Sequence, residues 1–216
     1  MNNVTFPVVG IIGAGAMGRG IAQIAAQAGS VVRLFDTRAE AVSEAVNSIT
    51  GQWDRMQEKG RLTEGALTAN KARLKNATQL SDLADCTLVV EAIVERLDVK
   101  KSLFAELESI VGPDAVLTTN TSSLSVTAIA AGLRVPQRFA GFHFFNPVPL
   151  MKVVEVIAGL KTSPAVCDAL SRSAREMGHT PVQAQDTPGF IVNHAGRGFG
   201  TEALRIVGEG VTDFTT

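Results

Sequence analysis

The fold is decided by the stretch VVGIIGAGAMG, residues 8–18. An apolar run opens it, and three glycines follow in the spacing G-x-G-x-x-G. This spacing is typical of a strand that turns tightly into a helix: Gly13 permits the turn, Gly15 lets a ligand approach the backbone, and Gly18 lets the helix pack on the strand. We therefore expect a buried strand at Val8–Ile12 and a helix directly after it.

The same stretch predicts a dinucleotide site. The open N–H groups and the positive end of the helix attract a pyrophosphate. The second expected strand, Val31–Phe35, ends at Asp36, 18 residues after Gly18, where an acid that binds the adenosine ribose belongs. Because a carboxylate repels a 2′-phosphate, the sequence favours NAD over NADP, and we interpret Arg38 as a solvated residue. The predicted cofactor contacts here are Gly13, Ala14, Gly15, Ala16, Met17, Gly18 and Asp36.

Short apolar runs alternate with helical patterns along the chain, which is typical of a doubly wound α/β fold. An inserted αα-hairpin is predicted over about residues 39–74, with Thr63 capping its second helix. The later strands lie close together in sequence, so part of a mostly parallel, Rossmann-type sheet is expected to be antiparallel. About eight strands are predicted, at Val8–Ile12, Val31–Phe35, near Leu74–Ala77, Cys86–Val90, Ala115–Thr119, Arg138–Phe144, Lys152–Ile157 and Thr180–Ala184.

The character of the sequence changes after Asp186. Residues 1–186 are predicted to form the Rossmann-type domain, and residues 187–216 the first helix of a truncated, all-helical second domain. The segment Phe190–Val207 looks helical, although it carries three glycines that each cost about 1 kcal/mol relative to alanine in an isolated helix. A lone helix with an apolar stripe is not a domain, so we expect it to pack on a further domain or on another subunit.

Composition narrows the class of protein. The 216 residues are 45% hydrophobic and 19% charged, enough for a sizeable core in one domain or slightly more. The net charge of −1 gives no reason to expect nucleic acid or an anionic membrane as a partner. The two cysteines, Cys86 and Cys167, lack metal-ligand spacing and are interpreted as reduced core residues, so no metal is expected. With no leader or membrane-spanning run recognised, we expect a soluble, cytoplasmic protein.

A second stretch, GFHFFNPVPLMKVVE at residues 141–155, carries candidate chemistry. His143 lies among aromatic residues, and Glu155 lies inside the apolar run Val153–Ile157. A histidine among phenylalanines is by itself more often a satisfied core residue. A carboxylate in a buried strand is costly unless it is paired, and a histidine oriented by a carboxylate is a common general base. We therefore predict that Glu155 orients His143 as a general base.

At this point the sequence resembles the 3-hydroxyacyl-CoA dehydrogenase family. The resemblance covers nearly the whole chain and is carried by GAGAMGRGIAQ, VVEAIVERLDVKKSLFAEL, NTSSLSVTAIA, RFAGFHFFNPVPLMKVVEVI and DTPGFIVN, in that order. It implies NAD-dependent oxidation of (S)-3-hydroxyacyl-CoA to 3-oxoacyl-CoA in fatty-acid or aromatic-acid degradation. It also implies an all-helical second domain through which the protein forms a homodimer.

The resemblance assigns further residues to the site. Ser122 is expected to contact the substrate oxygen and the nicotinamide ribose, and Asn193 to bind the substrate oxygen. Glu95 and Lys100 are expected at the ribose and phosphates on the nicotinamide side, and Asn146 near the nicotinamide. Simpler interpretations stay open: a helix cap for Ser122, an exposed asparagine for Asn193, an exposed charge pair for Glu95 and Lys100, and a turn residue for Asn146.

The acyl-CoA end of the site is less defined. Family members bind the nucleotide part of CoA at the αα-hairpin, where this chain has Arg55, Lys59 and Arg61. Lys59 is the preferred candidate for the 3′-phosphate, with Arg55 next, and a solvated helix end explains all three equally well. Two other functions stay open. One is a hydroxy-acid or sugar-acid dehydrogenase that uses the same His–Glu pair without CoA, and the other is a non-catalytic NAD-binding protein on the same fold.

Overall fold

A computed structural model describes residues 4–215 and contains an eight-stranded sheet, in the order β3-β2-β1-β4-β5-β6-β7-β8. The first six strands in this order, from β3 to β6, run parallel in a doubly wound arrangement, which confirms the predicted fold class. Residues 1–3 and 216 of the predicted domains lie outside the described part. The strands are β1 (Val8–Ile12), β2 (Val31–Phe35), β3 (Leu74–Asn76), β4 (Leu88–Glu91), β5 (Val116–Thr119), β6 (Phe139–Phe144), β7 (Val153–Ala158) and β8 (Thr180–Gln185).

The helices follow the predicted pattern. The expected αα-hairpin consists of α2 and α3, and Thr63 caps α3 by accepting a hydrogen bond from the N–H of Ala66 at 3.3 Å. Two elements begin two residues later than expected: β4 at Leu88, where Cys86 was predicted, and α7 at Val192, where Phe190 was predicted. The N–H of Cys86 donates to the Leu83 carbonyl at 3.0 Å, so Cys86 belongs to a turn before β4. The helices are α1 (Ala16–Ala28), α2 (Ala39–Glu58), α3 (Glu64–Arg73), α4 (Leu97–Ile110), α5 (Val126–Ala130), α6 (Pro164–Glu176) and α7 (Val192–Gly208).

Helices cover both faces of the sheet. Side chains alternate along β1, so Val9 and Ile11 belong to one buried hydrophobic cluster and Ile12 to another. The first cluster includes residues of α1, α2 and α6, and the second includes residues of α4 and α5. This three-layer arrangement leaves the loops at the carboxyl ends of the parallel strands open to a ligand.

The sheet changes direction between β6 and β7, which pair antiparallel as expected from their closeness in sequence. In the register of this pair, His143 lies directly opposite Glu155. Directly opposed residues of an antiparallel pair project from the same face with their side chains adjacent. The strand pairing alone therefore brings the predicted base and its carboxylate together.

The last helix, α7, stands apart from the core. None of its residues, Val192–Gly208, is buried, and Phe199 and Leu204 are largely exposed on it. Among residues 4–215, no helix is long and apolar enough to cross a membrane. The expectation that α7 packs on further protein is consistent with this exposed apolar surface and stays a prediction.

Candidate active site

Two neighbouring cavities open at the carboxyl ends of the parallel strands. One, of about 490 Å³, is bordered by Gly13 and Asp36. The other, of about 410 Å³, is bordered by Ser122 and His143, and Ile93 borders both. The second cavity also contains four more residues that the sequence assigned to the site, Met17, Glu95, Asn146 and Asn193. Predicted cofactor residues thus border both cavities and predicted catalytic residues border the second, and we call the two neighbouring cavities together the active cleft.

The glycine turn has the shape that the sequence predicted. Gly13 has a φ of 100°, and a Cβ there would lie 2.5 Å from the carbonyl oxygen of Ala92. A Cβ on Gly18 would lie 1.8 Å from the carbonyl oxygen of Gly13. A Cβ on Gly15, in contrast, would meet nothing within 4 Å. The turn is therefore tightly packed at its base and open above Gly15, which fits a pyrophosphate at the start of α1.

Asp36 completes the cofactor half of the cleft. Its Oδ2 accepts a hydrogen bond from the N–H of Ala14 at 2.8 Å, and its Oδ1 accepts one from the N–H of Arg38 at 3.0 Å. These bonds fix the carboxylate beside the glycine turn, at the end of β2. The arrangement fits the ribose of NAD and opposes a phosphate on its 2′ position.

The His143–Glu155 pair is buried and hydrogen-bonded. The ring Nδ1 lies 2.7 Å from Glu155 Oε2, with His143 5% exposed and Glu155 0%. Because a carboxylate can only accept, it holds the proton of the neutral ring on Nδ1. Nε2 is then the nitrogen that remains free to take a proton from a bound hydroxyl group.

The second oxygen of Glu155 binds the start of α7. Its Oε1 accepts hydrogen bonds from the N–H groups of Ile191 and Val192, both at 2.9 Å. These groups lack partners within the helix, and the positive end of the helix favours a carboxylate there. Glu155 therefore links the histidine on the sheet to the first turn of the last helix.

Ser122 and Asn193 are 71 positions apart in the sequence and meet at the cleft. The side-chain Nδ2 of Asn193 donates to the Ser122 carbonyl at 3.4 Å. The cap of α5 is Ser125, whose Oγ accepts from the N–H of Ala128 at 3.1 Å. The helix-cap interpretation of Ser122 is therefore wrong, and its hydroxyl is available in the cleft.

Glu95 connects the loop after β4 to the loop after β5. Its Oε1 accepts hydrogen bonds from the N–H of Ser122 at 2.9 Å and from the hydroxyl of Thr121. Burial tends to raise the pKa of Glu95, but the Thr121 hydrogen bond, the positive charge of Lys100 and the Ser122 N–H outweigh it and lower this pKa. Glu95 is therefore held as a carboxylate at the wall of the cleft.

Lys100 lies behind that wall. Its side chain is 1% exposed, and its Nζ lies 2.6 Å from Glu91 Oε1 and 3.2 Å from Glu95 Oε2. The interpretation of Glu95 and Lys100 as an exposed charge pair is therefore wrong for the lysine. It is a buried cation between two carboxylates.

The basic residues expected at the CoA end lie on the αα-hairpin. Arg55 is exposed in the last turn of α2, and Lys59 and Arg61 are exposed in the turn between α2 and α3. In the described part of the chain, none of the three borders either cavity of the active cleft. Their assignment to the 3′-phosphate stays a prediction.

A known protein family matches the part of the chain that forms this arrangement. The sequence model of the family described as "3-hydroxyacyl-CoA dehydrogenase, NAD binding domain" matches residues 8–187, most of the chain. The chain belongs to the 3-hydroxyacyl-CoA dehydrogenase family. The match includes the glycine turn, His143 and Glu155, and it confirms both the resemblance and NAD as the cofactor.

Individual relatives agree with the family. The chain is 44% identical over 208 residues to 3-hydroxyadipyl-CoA dehydrogenase of Escherichia coli strain K12, covering 96% of this chain and 44% of the relative. It is 43% identical over 204 residues to a probable 3-hydroxybutyryl-CoA dehydrogenase of Deinococcus radiodurans, covering 94% of this chain and 73% of the relative. A solved structure of 3-hydroxybutyryl-CoA dehydrogenase from Escherichia coli K12 matches with a TM-score of 0.93 and 44% identity, over 96% of this chain and 44% of that one. This chain thus spans less than half the length of the Escherichia coli relatives.

In this member of the 3-hydroxyacyl-CoA dehydrogenase family, the sequence did not predict Asn120 and Phe145, which border the active cleft, or Glu91, which lies beneath it. Glu91 lies under the cleft and pairs with Lys100, Asn120 Oδ1 accepts from the N–H of Phe144 at 2.8 Å, and the ring of Phe145 lies 4.5 Å from that of His143. Glu91 could have been predicted from the sequence, because it is a carboxylate at the end of an apolar strand, just as Glu155 is a carboxylate inside one. Asn120 follows β5 directly, which is the position where site residues of α/β sheets are found.

Proposed function

We propose that the protein containing this chain is an NAD-dependent 3-hydroxyacyl-CoA dehydrogenase, and that this chain supplies the cofactor site and the base. The observation that supports this best is the buried His143–Glu155 pair, whose histidine borders the cavity next to the glycine turn. The relatives are named as dehydrogenases of 3-hydroxyadipyl-CoA and 3-hydroxybutyryl-CoA. A proton acceptor beside a hydride acceptor is what the oxidation of a secondary alcohol requires.

In the proposed reaction, His143 Nε2 accepts the proton of the substrate's 3-hydroxyl as the C–O single bond becomes a carbonyl. The hydrogen on the same carbon leaves with its electron pair, and bound NAD supplies the acceptor for this hydride. Glu155 stabilises the imidazolium that forms and keeps Nδ1 protonated. In the opposite direction the imidazolium returns the proton to the oxygen.

Ser122 and Asn193 are proposed to hold the reacting oxygen. Their polar groups face the cavity of His143, and the hydrogen bond from Asn193 to the Ser122 carbonyl sets their separation. Donors placed where negative charge develops on oxygen stabilise the transition state. We assign Glu95 and Asn146, which border the same cavity, and Lys100, which is paired with Glu95, to the nicotinamide side of the cofactor.

The remaining parts of the assignment concern the whole protein. We assign Lys59, together with Arg55, to the 3′-phosphate of CoA, and residues 187–216 to the start of a helical domain that forms a homodimer. The exposed apolar residues of α7 support the second assignment. A cytoplasmic location is proposed because Cys86 and Cys167 are buried free thiols.

The proposed activity is tested by following NADH absorbance with acetoacetyl-CoA and, in parallel, with free acetoacetate. We expect NADH to be consumed with the thioester, slower consumption with NADPH, and little with the free acid. Equal rates with both substrates would favour a hydroxy-acid dehydrogenase that does not need CoA. If the whole protein that contains this chain binds NADH but consumes none with either substrate, the proposed activity is wrong and the protein only binds the cofactor.

A further inference from the structure

A buried histidine lies behind the turn that joins β6 to β7. His179 is 4% exposed and lies between the end of α6 and the start of β8. Its ring packs edge-to-face on the ring of Phe144, with 5.5 Å between the two centroids. The proposed reaction does not use His179. A buried polar ring needs hydrogen-bond partners, so its contacts show what it holds in place.

Both nitrogens of this ring face backbone carbonyl groups. Nε2 lies 3.0 Å from the carbonyl oxygen of Val148, and Nδ1 lies 3.1 Å from that of Met177. A carbonyl oxygen can only accept, so each contact requires a proton on the nitrogen concerned. The contact with Met177 is local, whereas the contact with Val148 spans 31 positions of the sequence. The second contact therefore ties the β6–β7 turn to the start of β8.

Val148 is also fixed by packing against α1. Its side chain is buried, and a Cβ on Gly20 of α1 would lie 2.7 Å from the Val148 Cβ. The missing side chain at Gly20 therefore lets Val148 lie directly against the helix. Val148 thus contacts α1 with its side chain and the His179 ring with its carbonyl group.

The same turn carries two residues of the active cleft. Phe145 and Asn146 border the cavity of His143. The strand before them is fixed by the sheet and by the hydrogen bond from the N–H of Phe144 to Asn120 Oδ1 at 2.8 Å. Val148 follows Asn146 by two positions. The placement of Asn146 therefore depends on β6 on one side and on Val148 on the other.

We infer that His179 is a positioning residue for the nicotinamide side of the cleft. Its Nε2–H donates to the Val148 carbonyl and thereby sets the place of Asn146. The ring acts through the turn and touches neither cofactor nor substrate. This inference rests on the proposed function, because Asn146 belongs to the same site.

Two substitutions separate the two contacts of the ring. The side-chain amide nitrogen of glutamine can take the place of Nε2, and that of asparagine the place of Nδ1. His179→Gln therefore keeps the donor to Val148, and His179→Asn keeps only the donor to Met177. Each variant loses one hydrogen bond at the same buried position, so we expect both to lower the urea midpoint of unfolding by a similar amount.

Cofactor binding and turnover should differ between the two variants. We expect His179→Asn to weaken NADH binding and to lower kcat with acetoacetyl-CoA, each by about three- to tenfold, the effect of one lost hydrogen bond. His179→Gln should stay close to wild type in both. Binding of ADP, a probe of the adenosine half, should be unchanged in either variant. In an Asn146→Ala background, His179→Asn should weaken NADH binding no further, because the residue that it positions is already lost.

Several results would overturn the inference. Equal NADH binding and kcat in the two variants, or failure of both to fold, would show that the ring serves stability and that the Val148 contact sets nothing in the cleft. Equal loss of ADP and NADH binding would place the effect outside the nicotinamide side. An undiminished effect of His179→Asn in the Asn146→Ala background would show that it does not act through Asn146. A wild-type protein that binds no NADH would instead contradict the proposed function.

Discussion

At the scale of single residues, glycine is required at Gly18 and at Gly15 of the glycine turn for different physical reasons. Gly18 is required by packing, because any Cβ would overlap the carbonyl oxygen of Gly13. Gly15 has an ordinary φ of −67° and free space around it, so the folded protein itself does not require glycine there. The requirement at Gly15 comes from the pyrophosphate that has to approach the backbone.

This difference makes Gly18→Ala and Gly15→Ala a matched pair. We expect Gly18→Ala to lower the free energy of unfolding by about 1–3 kcal/mol, since the methyl group must displace backbone. Gly15→Ala should change it by less than about 1 kcal/mol, yet weaken NADH binding about tenfold or more. Urea unfolding and NADH fluorescence titration measure the two quantities. If Gly15→Ala bound NADH normally, the pyrophosphate would have to lie elsewhere.

At the scale of elements, Asp186 anchors the connection between β8 and α7 to the start of α5. Its carboxylate accepts hydrogen bonds from the N–H groups of Val126 and Thr127 and from the hydroxyl of Ser125, at 2.8 to 2.9 Å. Burial raises the pKa of Asp186, but the bonds from Thr127, Ser125 and Val126 outweigh it and lower this pKa. The anchor holds the segment that leads to Asn193.

We expect Asp186→Asn to lower the free energy of unfolding by about 1–2 kcal/mol near pH 7. Because the carboxyl pKa is lower in the folded than in the unfolded state, its contribution is complete above the unfolded pKa. It is lost as pH falls through the folded pKa. The difference between wild type and variant should therefore shrink in acid. Urea unfolding from pH 7 down to pH 3 would measure it, with the exposed Asp168→Asn as the control. A difference that does not depend on pH would contradict the anchor.

The strands and helices also show which features could be predicted from the sequence. Most strand ends were predicted to within one or two residues, because apolar runs and turn residues are local signals. The pairing of His143 with Glu155 was predictable too, since the two residues are only twelve positions apart in the sequence, on strands joined by a short connection. The burial of Lys100 was not predictable from the sequence. It depends on Glu91 and on the order in which distant strands join, which no local pattern contains.

At the scale of the whole molecule, the sheet and the last helix share one carboxylate. Glu155 binds the ring of His143 with one oxygen and the N–H groups of Ile191 and Val192, at the start of α7, with the other. The start of α7 is thereby attached to the same carboxylate that orients His143. The sequence predicted the change of character after Asp186, but not this link, because backbone N–H groups at a helix start leave no signature in side-chain chemistry.

In the proposed reaction, His143, oriented by Glu155, transfers the proton while NAD takes the hydride. The most direct test compares wild type, His143→Gln and the exposed His194→Gln for NADH binding and for NADH consumption with acetoacetyl-CoA. We expect His143→Gln to bind NADH normally and to be slower by about 10²–10⁴-fold, with His194→Gln close to wild type. If His143→Gln turned over at the wild-type rate, histidine would have no part in the chemistry and the account would be wrong.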